Sequence, residues 1–324
     1  MYLITGGAGF IGSNLVRCLN KSGIENIIIV DNLKNGKKFE NLSNLNFVDF
    51  YDKNDFIENI DNLNYFPKIE KIIHLGACSS TTEWDGKYIM KNNFEYSKKL
   101  FHYCAGTKIS FIYASSASVY GLGLNGFKEE RICEKPINVY AFSKFQFDQY
   151  VRSYFGKFEN QVVGLRYFNV YGPGEKHKKD MSSPVYKFSR QIKKTGFCNL
   201  FKGYDGFKDG QQKRDFVFVD DCVQVKEWFL ENEKISGIFN LGTGNAESFE
   251  AMADAVCEWY LINKKVDAKI KYIEFPDHLK GAYQSFTKAD ISNLRNSGYQ
   301  NKFFSIKDGV FSYLDYLQEN GEID

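Results

Sequence analysis

Short apolar, β-branched runs alternate with longer amphipathic stretches through the first half of the chain. The pattern predicts strands at Tyr2–Thr5, Asn26–Val30, Asn46–Phe50, Lys71–Leu75, Ile109–Ala114 and Gln161–Tyr167. Between them, apolar positions recurring at helical spacing predict helices around Phe10–Lys21, Lys53–Ile60, Trp84–Cys104 and Val139–Phe155. Strands alternating with helices imply a parallel sheet wound on both faces, a Rossmann-type α/β fold with the strand C-terminal ends along one edge. Ligands bind at that edge in open α/β sheets. After Tyr171 the alternation loosens into a loop over Gly172–Asp180, a helix near Pro184–Lys194, a polar Gly-rich stretch at Tyr204–Lys213 and a short strand at Arg214–Val219. A helix near Asp220–Asn232, a strand at Gly237–Leu241 and mixed α/β elements follow. The expected organisation is a dinucleotide-binding domain over 1–170 with a return segment at about 214–245. A smaller mixed α/β substrate-binding domain over 171–213 and 246–324 is interleaved with it.

At 324 residues the chain has about two domains' worth of length, on a prior of roughly 150 residues each. A net charge of +2 excludes a strongly basic nucleic-acid binder but allows a local basic pocket for a phosphorylated ligand. The cysteines Cys18, Cys78, Cys104, Cys133, Cys198, Cys222 and Cys257 are scattered, odd in number and without C-x-x-C, so they read as reduced thiols rather than as a disulfide framework or zinc site. No metal is expected. No apolar run approaches the roughly 18 residues needed to cross a bilayer. Structure predicted from Tyr2 leaves no room for a cleavable signal, so a cytoplasmic protein without a membrane partner is expected.

The first strand runs straight into Gly6-Gly7-Ala8-Gly9-Phe10-Ile11-Gly12, with Gly6, Gly9 and Gly12 as the frame of a tight strand-to-helix turn. Residues without Cβ let the backbone approach a pyrophosphate, and the new helix offers its unpaired N–H groups to that anion. Asp31 closes the next apolar run, about 20 residues on, where an acid meets the adenosine ribose. Together these predict a dinucleotide site. A carboxylate at Asp31 suggests NAD, whereas Asn32, Lys34, Lys37 and Lys38 could hold the 2′-phosphate of NADP, so the residues leave both forms open.

The fifth predicted strand ends in Ser115-Ser116-Ala117, and Tyr140-Ala141-Phe142-Ser143-Lys144 follows 24 residues past Ser116. On a helix Tyr140 and Lys144 share a face. A phenol is a poor base at neutral pH, and a nearby ammonium together with a nicotinamide cation would favour the phenolate. Ser116 could donate to a substrate oxygen that becomes a ketone. Two other Tyr/Lys pairs match the spacing, Tyr204/Lys208 and Tyr260/Lys264, but neither follows a serine-ended strand.

Thr5–Gly12, the Ser115–Ala117 segment and Tyr140-x-x-x-Lys144 together resemble the extended short-chain dehydrogenase/reductase family, and the resemblance covers nearly the whole chain. That family transforms nucleotide-sugars by a transient hydride loan to NAD(P). Its dehydratases place acids directly after the active-site Ser or Thr, where this chain has Ala117 and Ser118, so the resemblance implies an epimerase. Longer strings at Gly76–Tyr88, Arg166–Pro173, Arg214–Val217, Phe239–Gly244 and Lys280–Gln284 are similar to the branch acting on ADP-linked heptoses at C6. By that resemblance Tyr140 and Lys178 are acid/base groups on opposite sides of the sugar, supported by Ser116 and Lys144. Cofactor contacts then fall on the glycine turn with Phe10 and Ile11, on Asp31, Asn32, Lys38 and Lys53, on Leu75, Gly76, Ala77, Cys78 and Ser79, and on Asn92, Lys144, Val170 and Lys178. Substrate contacts fall on Ser79, Ser116, Asn169, Asp180, Lys187, Phe201, Lys202, Gly203, Tyr204, Arg214 and Tyr283. The branch prefers NADP and forms homo-oligomers, often pentamers. Asp180 and Lys187 depart from its pattern, and Asp209–Lys213 reads as an insertion before Arg214. A UDP-sugar 4-epimerase and a non-catalytic NADP-binding regulator are the rival readings, and the three tryptophans Trp84, Trp228 and Trp259 are expected in the core or at an interface.

Overall fold

A computed structural model describes residues 1–62, 67–277, 280–281 and 283–323; Ala282 and the side chain of Asp180 lie outside the described residues. The chain opens with β1 (Tyr2–Thr5), α1 (Phe10–Lys21), β2 (Ile27–Asp31), β3 (Asp49–Asp52), α2 (Lys53–Glu58) and β4 (Lys71–His74). Next come α3 (Gly86–Met90) and α4 (Tyr96–Thr107), joined by a π-helical turn over Lys91–Glu95, then β5 (Ser110–Ser116) and α5 (Val139–Arg152). The remainder is β6 (Val162–Tyr167), β7 (Asn169–Tyr171), α6 (Pro184–Thr195), β8 (Phe197–Phe201), β9 (Lys213–Arg214), β10 (Phe216–Phe218), α7 (Val219–Glu231), β11 (Gly237–Leu241), β12 (Glu247–Ser248), α8 (Phe249–Lys264), β13 (Lys269–Ile273), α9 (Ser292–Asn296) and α10 (Ile306–Glu319).

Seven strands form one sheet in the order β3-β2-β1-β4-β5-β6-β11, with every pairing parallel. Ile27-Ile28-Ile29-Val30 shows why: β-branched residues suit the pleat, and every residue of β2 is buried because helices cover both faces. The strand order reverses between β1 and β4, which opens a crevice beyond their C-terminal ends. A second core gathers α6, α8 and α10 around Trp259, Met252 and Leu314, with β8 paired to β13. Among the described residues no helix is long and apolar enough to cross a membrane.

Several local expectations change. The strand expected at Asn46–Phe50 starts later, at Asp49, because its partners on β2 are Ile28 to Asp31. The helix expected over Trp84–Cys104 starts at Gly86, contains the π turn and leaves Trp84 69% exposed, so this tryptophan is not a core residue. The run Arg214–Val219 is broken at Asp215, whose buried carboxylate accepts from the Thr243, Gly244 and Ala289 amides and the Thr243 hydroxyl. A tight turn at Lys176–Met181 occupies part of the expected Gly172–Asp180 loop.

Candidate active site

A cleft of about 510 Å³ lies at the crevice. Its floor is the glycine turn. Gly6 takes φ +70°, and a Cβ there would come within 2.7 Å of the Gly76 amide nitrogen; a Cβ on Gly12 would reach 2.2 Å from the Gly6 carbonyl. Only glycine fits either position. Gly9 precedes helix α1 as its N-cap and, being glycine, offers no side-chain cap, so the first amides of α1 are left for an anion. Gly6, Gly9, Phe10, Ile11 and Gly12 all line the cleft, where an anion such as a pyrophosphate could approach the backbone.

Asp31 closes β2 at the far end. Its Oδ2 accepts from the Ala8 amide at 2.9 Å, and its Oδ1 accepts from the Asn32 amide and Lys38 Nζ, both at 2.6 Å. Lys38 thus neutralises the acid at the position where a ribose 2′ substituent would lie. Lys53 hydrogen-bonds Asn92, and burial lowers its ammonium below the usual lysine range. Asn32, Lys38, Lys53 and Asn92 line this end with His177, which sequence reasoning did not single out.

Leu75, Gly76, Ala77, Cys78 and Ser79 form the wall beyond β4. Asn93, buried in the π turn, accepts from the Cys78 amide at 2.8 Å and donates to its carbonyl at 2.9 Å and to Ser143 Oγ at 3.1 Å. The π turn, a rarity that recurs at functional sites, thereby aims Asn92 at the cleft and Asn93 at the loop. His74 stays buried below, bonded to Thr5 Oγ1 and Ser97 Oγ at 2.6 and 2.8 Å, and burial pushes it down to about 3, so it is neutral.

Ser116 ends β5, and Asn138 caps α5 by accepting from the Ala141 amide, which places Tyr140 in the first turn over the strand end. Tyr140 hydrogen-bonds Ser116, and that bond lowers its phenol, while burial, the larger effect, holds it above its ordinary value. The protein groups alone therefore favour the neutral phenol, contrary to the lowering expected from Lys144. Lys144 Nζ instead donates to the Ala114 carbonyl at 2.7 Å, and burial pulls it down to about 8. Ser118, at a place considered only for its missing acid, donates to Ser116 Oγ from its hydroxyl at 2.9 Å and its amide at 3.2 Å. With its oxygen accepting twice, Ser116 is set to donate its own proton.

Lys178 reaches the same cleft from the Lys176–Met181 turn, its Nζ 5.2 Å from the centre of the Phe10 ring. Burial lowers its ammonium and Glu175 opposes that shift. Asn169 and Val170 complete the lining.

The remaining substrate candidates lie elsewhere. Lys187 is exposed on α6, and Phe201, Lys202, Gly203, Tyr204, Arg214 and Tyr283 do not line the cleft. They are not scattered, however. Buried Arg214 lies 4.8 Å over the Tyr283 ring, rather than in a surface ion pair, and Tyr283 meets Phe275 edge-on at 5.2 Å. Phe275 stacks on Tyr204 at 4.2 Å and meets Phe201 at 5.4 Å. Gln284, next in the chain to Tyr283 of this aromatic shelf, and Asn169 line the cleft. Phe275 was missed, having no motif around it. Asp180, as a substrate candidate, lies outside the described side chains.

The chain is 54% identical over 319 residues to ADP-L-glycero-D-manno-heptose-6-epimerase of Alkalilimnicola ehrlichii, with 98% of each chain covered. The crystal structure of Helicobacter pylori ADP-L-glycero-D-manno-heptose-6-epimerase matches with a TM-score of 0.82 at 28% identity, over 98% of this chain and 96% of that one. Thermotoga maritima UDP-glucose 4-epimerase, solved with UDP-glucose, matches with a TM-score of 0.80 at 26% identity, over 98% and 99%. The profile of the NAD dependent epimerase/dehydratase family covers residues 2–242. With the glycine cradle, the Ser116–Tyr140–Lys144 group and these matches in agreement, the chain belongs to the NAD dependent epimerase/dehydratase family.

Proposed function

We propose that this chain is an ADP-heptose 6-epimerase, which interconverts ADP-D-glycero-β-D-manno-heptose and ADP-L-glycero-β-D-manno-heptose. The observation that carries the reading is the 54% identity to the A. ehrlichii enzyme across 98% of both chains. The placement of Tyr140 and Lys178 in one cleft supports it.

When bound against the glycine turn, Asp31, Lys38 and Lys53, NADP would supply a hydride acceptor and donor for C6, and its positive ring would favour the Tyr140 phenolate. Tyr140 and Lys178 hold or move the C6 hydroxyl proton, one for each orientation of the sugar. Burial brings the Lys178 ammonium nearer to working pH, which suits a group that must both give and take a proton. Ser116, oriented by Ser118, donates to the C6 oxygen. Arg214 offers a planar fork to the diphosphate beside the aromatic shelf. NADP is favoured over NAD because Lys38 already cancels the Asp31 charge, and Lys53 and His177 line the same end. Homo-oligomeric assembly in the cytoplasm and supply of heptose to the inner core of lipopolysaccharide accompany this reading.

The test is NMR of purified protein incubated with ADP-D-glycero-β-D-manno-heptose and, separately, with UDP-galactose. Conversion of the heptose alone is expected. Turnover of UDP-galactose alone would move the chain to the 4-epimerases. Change in neither sugar, with NADP bound, would leave a regulator.

A further inference from the structure

The segment carrying Lys178 belongs to neither the main sheet nor a long helix, yet asparagine side chains from two other elements hold it. Asn14 Nδ2 on α1 donates to the Pro173 carbonyl at 2.7 Å. Asn41 Nδ2 donates to the Gly174 carbonyl at 3.1 Å and the Ala8 carbonyl at 3.0 Å, and lies 3.4 Å from His177 Nδ1. Asn41 ends the short turn Gly36–Asn41, which carries Lys38 to Asp31. One amide therefore joins three pieces: the glycine turn through Ala8, the ribose-side turn, and the Lys178 loop.

The loop is shaped to this contact. Gly174 takes φ +89°, and a Cβ there would lie 3.5 Å from both Asn14 Nδ2 and Asn41 Oδ1. Lys179, directly after Lys178, is held at φ +50° and ψ −119°, a region that side-chain-bearing residues rarely adopt. Such a conformation persists only where its surroundings over-determine it. The cleft runs between the tethered parts, with Phe10 and Ile11 on one wall and His177 and Lys178 on the other.

We propose that Asn41 is a positioning residue that clasps the Lys178 loop onto the dinucleotide turn and keeps the reduced cofactor in place between the two hydride transfers. This rests on the epimerase reading, because a loan succeeds only when the cofactor leaves more slowly than the ketone turns over. In the first transfer the C6–H bond breaks, its electron pair and hydrogen pass to the nicotinamide ring, and the hydroxyl proton passes to Tyr140 or Lys178. In the second, the same hydrogen and electron pair re-form a C6–H bond on the opposite face and the proton returns to oxygen. Escape of the reduced cofactor between these steps would strand the ketone.

Two readouts test the clasp in the full-length protein. The first is the rate at which excess NADP displaces bound NADPH, followed by NADPH fluorescence, with NADH run in parallel. The second is deuterium retention at C6 when C6-deuterated ADP-heptose turns over in excess unlabelled NADPH. Asn41→Asp, which turns a carboxylate on two carbonyl oxygens, is expected to speed displacement tenfold or more and to wash protium into the product. Asn41→Ala should act in the same direction, and Asn14→Ala, which removes one tether, less strongly. Lys176→Ala, which removes only an exposed pair with Glu40, should match the parent. If the Asn41 variants do not fold, Asn14→Ala carries the test. Parental displacement and full retention in the folded variants would overturn the proposal. If the parent leaves the heptose unchanged, the epimerase reading falls, while the displacement rates still judge the clasp.

Discussion

Tyr140 and Lys178 meet in one cleft from different kinds of support. Tyr140 and Lys144 stand on α5, which is tied to three successive residues of β5: Tyr113 and Ser115 donate to Asp148 at 3.0 and 2.8 Å, and Lys144 donates to the Ala114 carbonyl at 2.7 Å. Asp148 pairs with Arg166, which also pairs with Glu134, and these three side chains are fully enclosed. Lys178 stands on a single tight turn with a strained neighbour, held by the Asn14 and Asn41 amides and by the buried Glu175 carboxylate, which accepts from the Ser183 amide and hydroxyl. The Tyr140 side is tied into the main sheet, whereas the Lys178 side is tied through side chains of separate elements.

Removing either of the two proposed acid/base groups should have the largest effect. Tyr140→Phe and Lys178→Met are each expected to lower kcat by about 10²–10⁴-fold, in line with loss of one acid/base group. Melting temperatures near the parent's would show that chemistry, not folding, was lost. A kcat within threefold of the parent for either variant would remove that residue from the mechanism.

Stability separates the two supports next. Asp148→Asn leaves Arg166 short of a buried countercharge and should destabilise by about 3 kcal/mol in urea unfolding. Asn41→Ala should destabilise by about 1 kcal/mol, the usual net value of a hydrogen bond. Equal losses would erase the contrast between the walls.

Lys226 sharpens the comparison from within the rigid half. It is fully buried on α7, its ammonium donates to the Tyr167 hydroxyl at 3.4 Å, and burial pulls it down to about 8 from 10.5. Between about pH 8 and 10.5 the folded chain binds fewer protons at this site than the unfolded chain, so its contribution to stability rises with pH there. Below that window the full penalty of burying the charge applies. Lys226→Met should therefore stabilise by about 2 kcal/mol at pH 7, with the gain shrinking toward pH 10.5. Urea unfolding across pH checks this; a gain independent of pH would contradict it. Lys144 has the same direction of shift and similar burial, yet its amine faces the cleft.

The smallest effect concerns strain. Lys179→Gly should stabilise by about 1 kcal/mol, because glycine accepts the backbone that Lys179 is forced into. Loss of stability would show that the turn is not strained.

The same division governs what could be read from the sequence. The glycine turn, the Asp31 offset and the four-residue spacing of Tyr140 and Lys144 are local patterns, and β1, α1 and β11 lie where hydrophobic periodicity places them. The Lys178 wall depends on contacts between residues 133 apart, such as Asn41 and Gly174, which leave no local mark. Without the family resemblance, Lys176 to Lys179 would read as a solvated charge cluster. The break at Asp215 and the π turn at Lys91–Glu95 were hidden for the same reason, since distant partners decide them. Aromatic residues of the shelf carry no spacing signal, and Phe275 emerged only once folding brought Tyr204 and Tyr283 to it.

The central claim, that two supports serve one reversible hydride loan, is tested most directly by the fate of hydrogen at C6. ADP-D-glycero-β-D-manno-heptose is incubated with the parent protein in deuterated water, and the product's C6 position is read by NMR. Conversion to the L-glycero epimer with protium retained at C6 is the predicted result. Deuterium entering C6 during conversion would contradict the loan and point to exchange of a C–H proton with solvent.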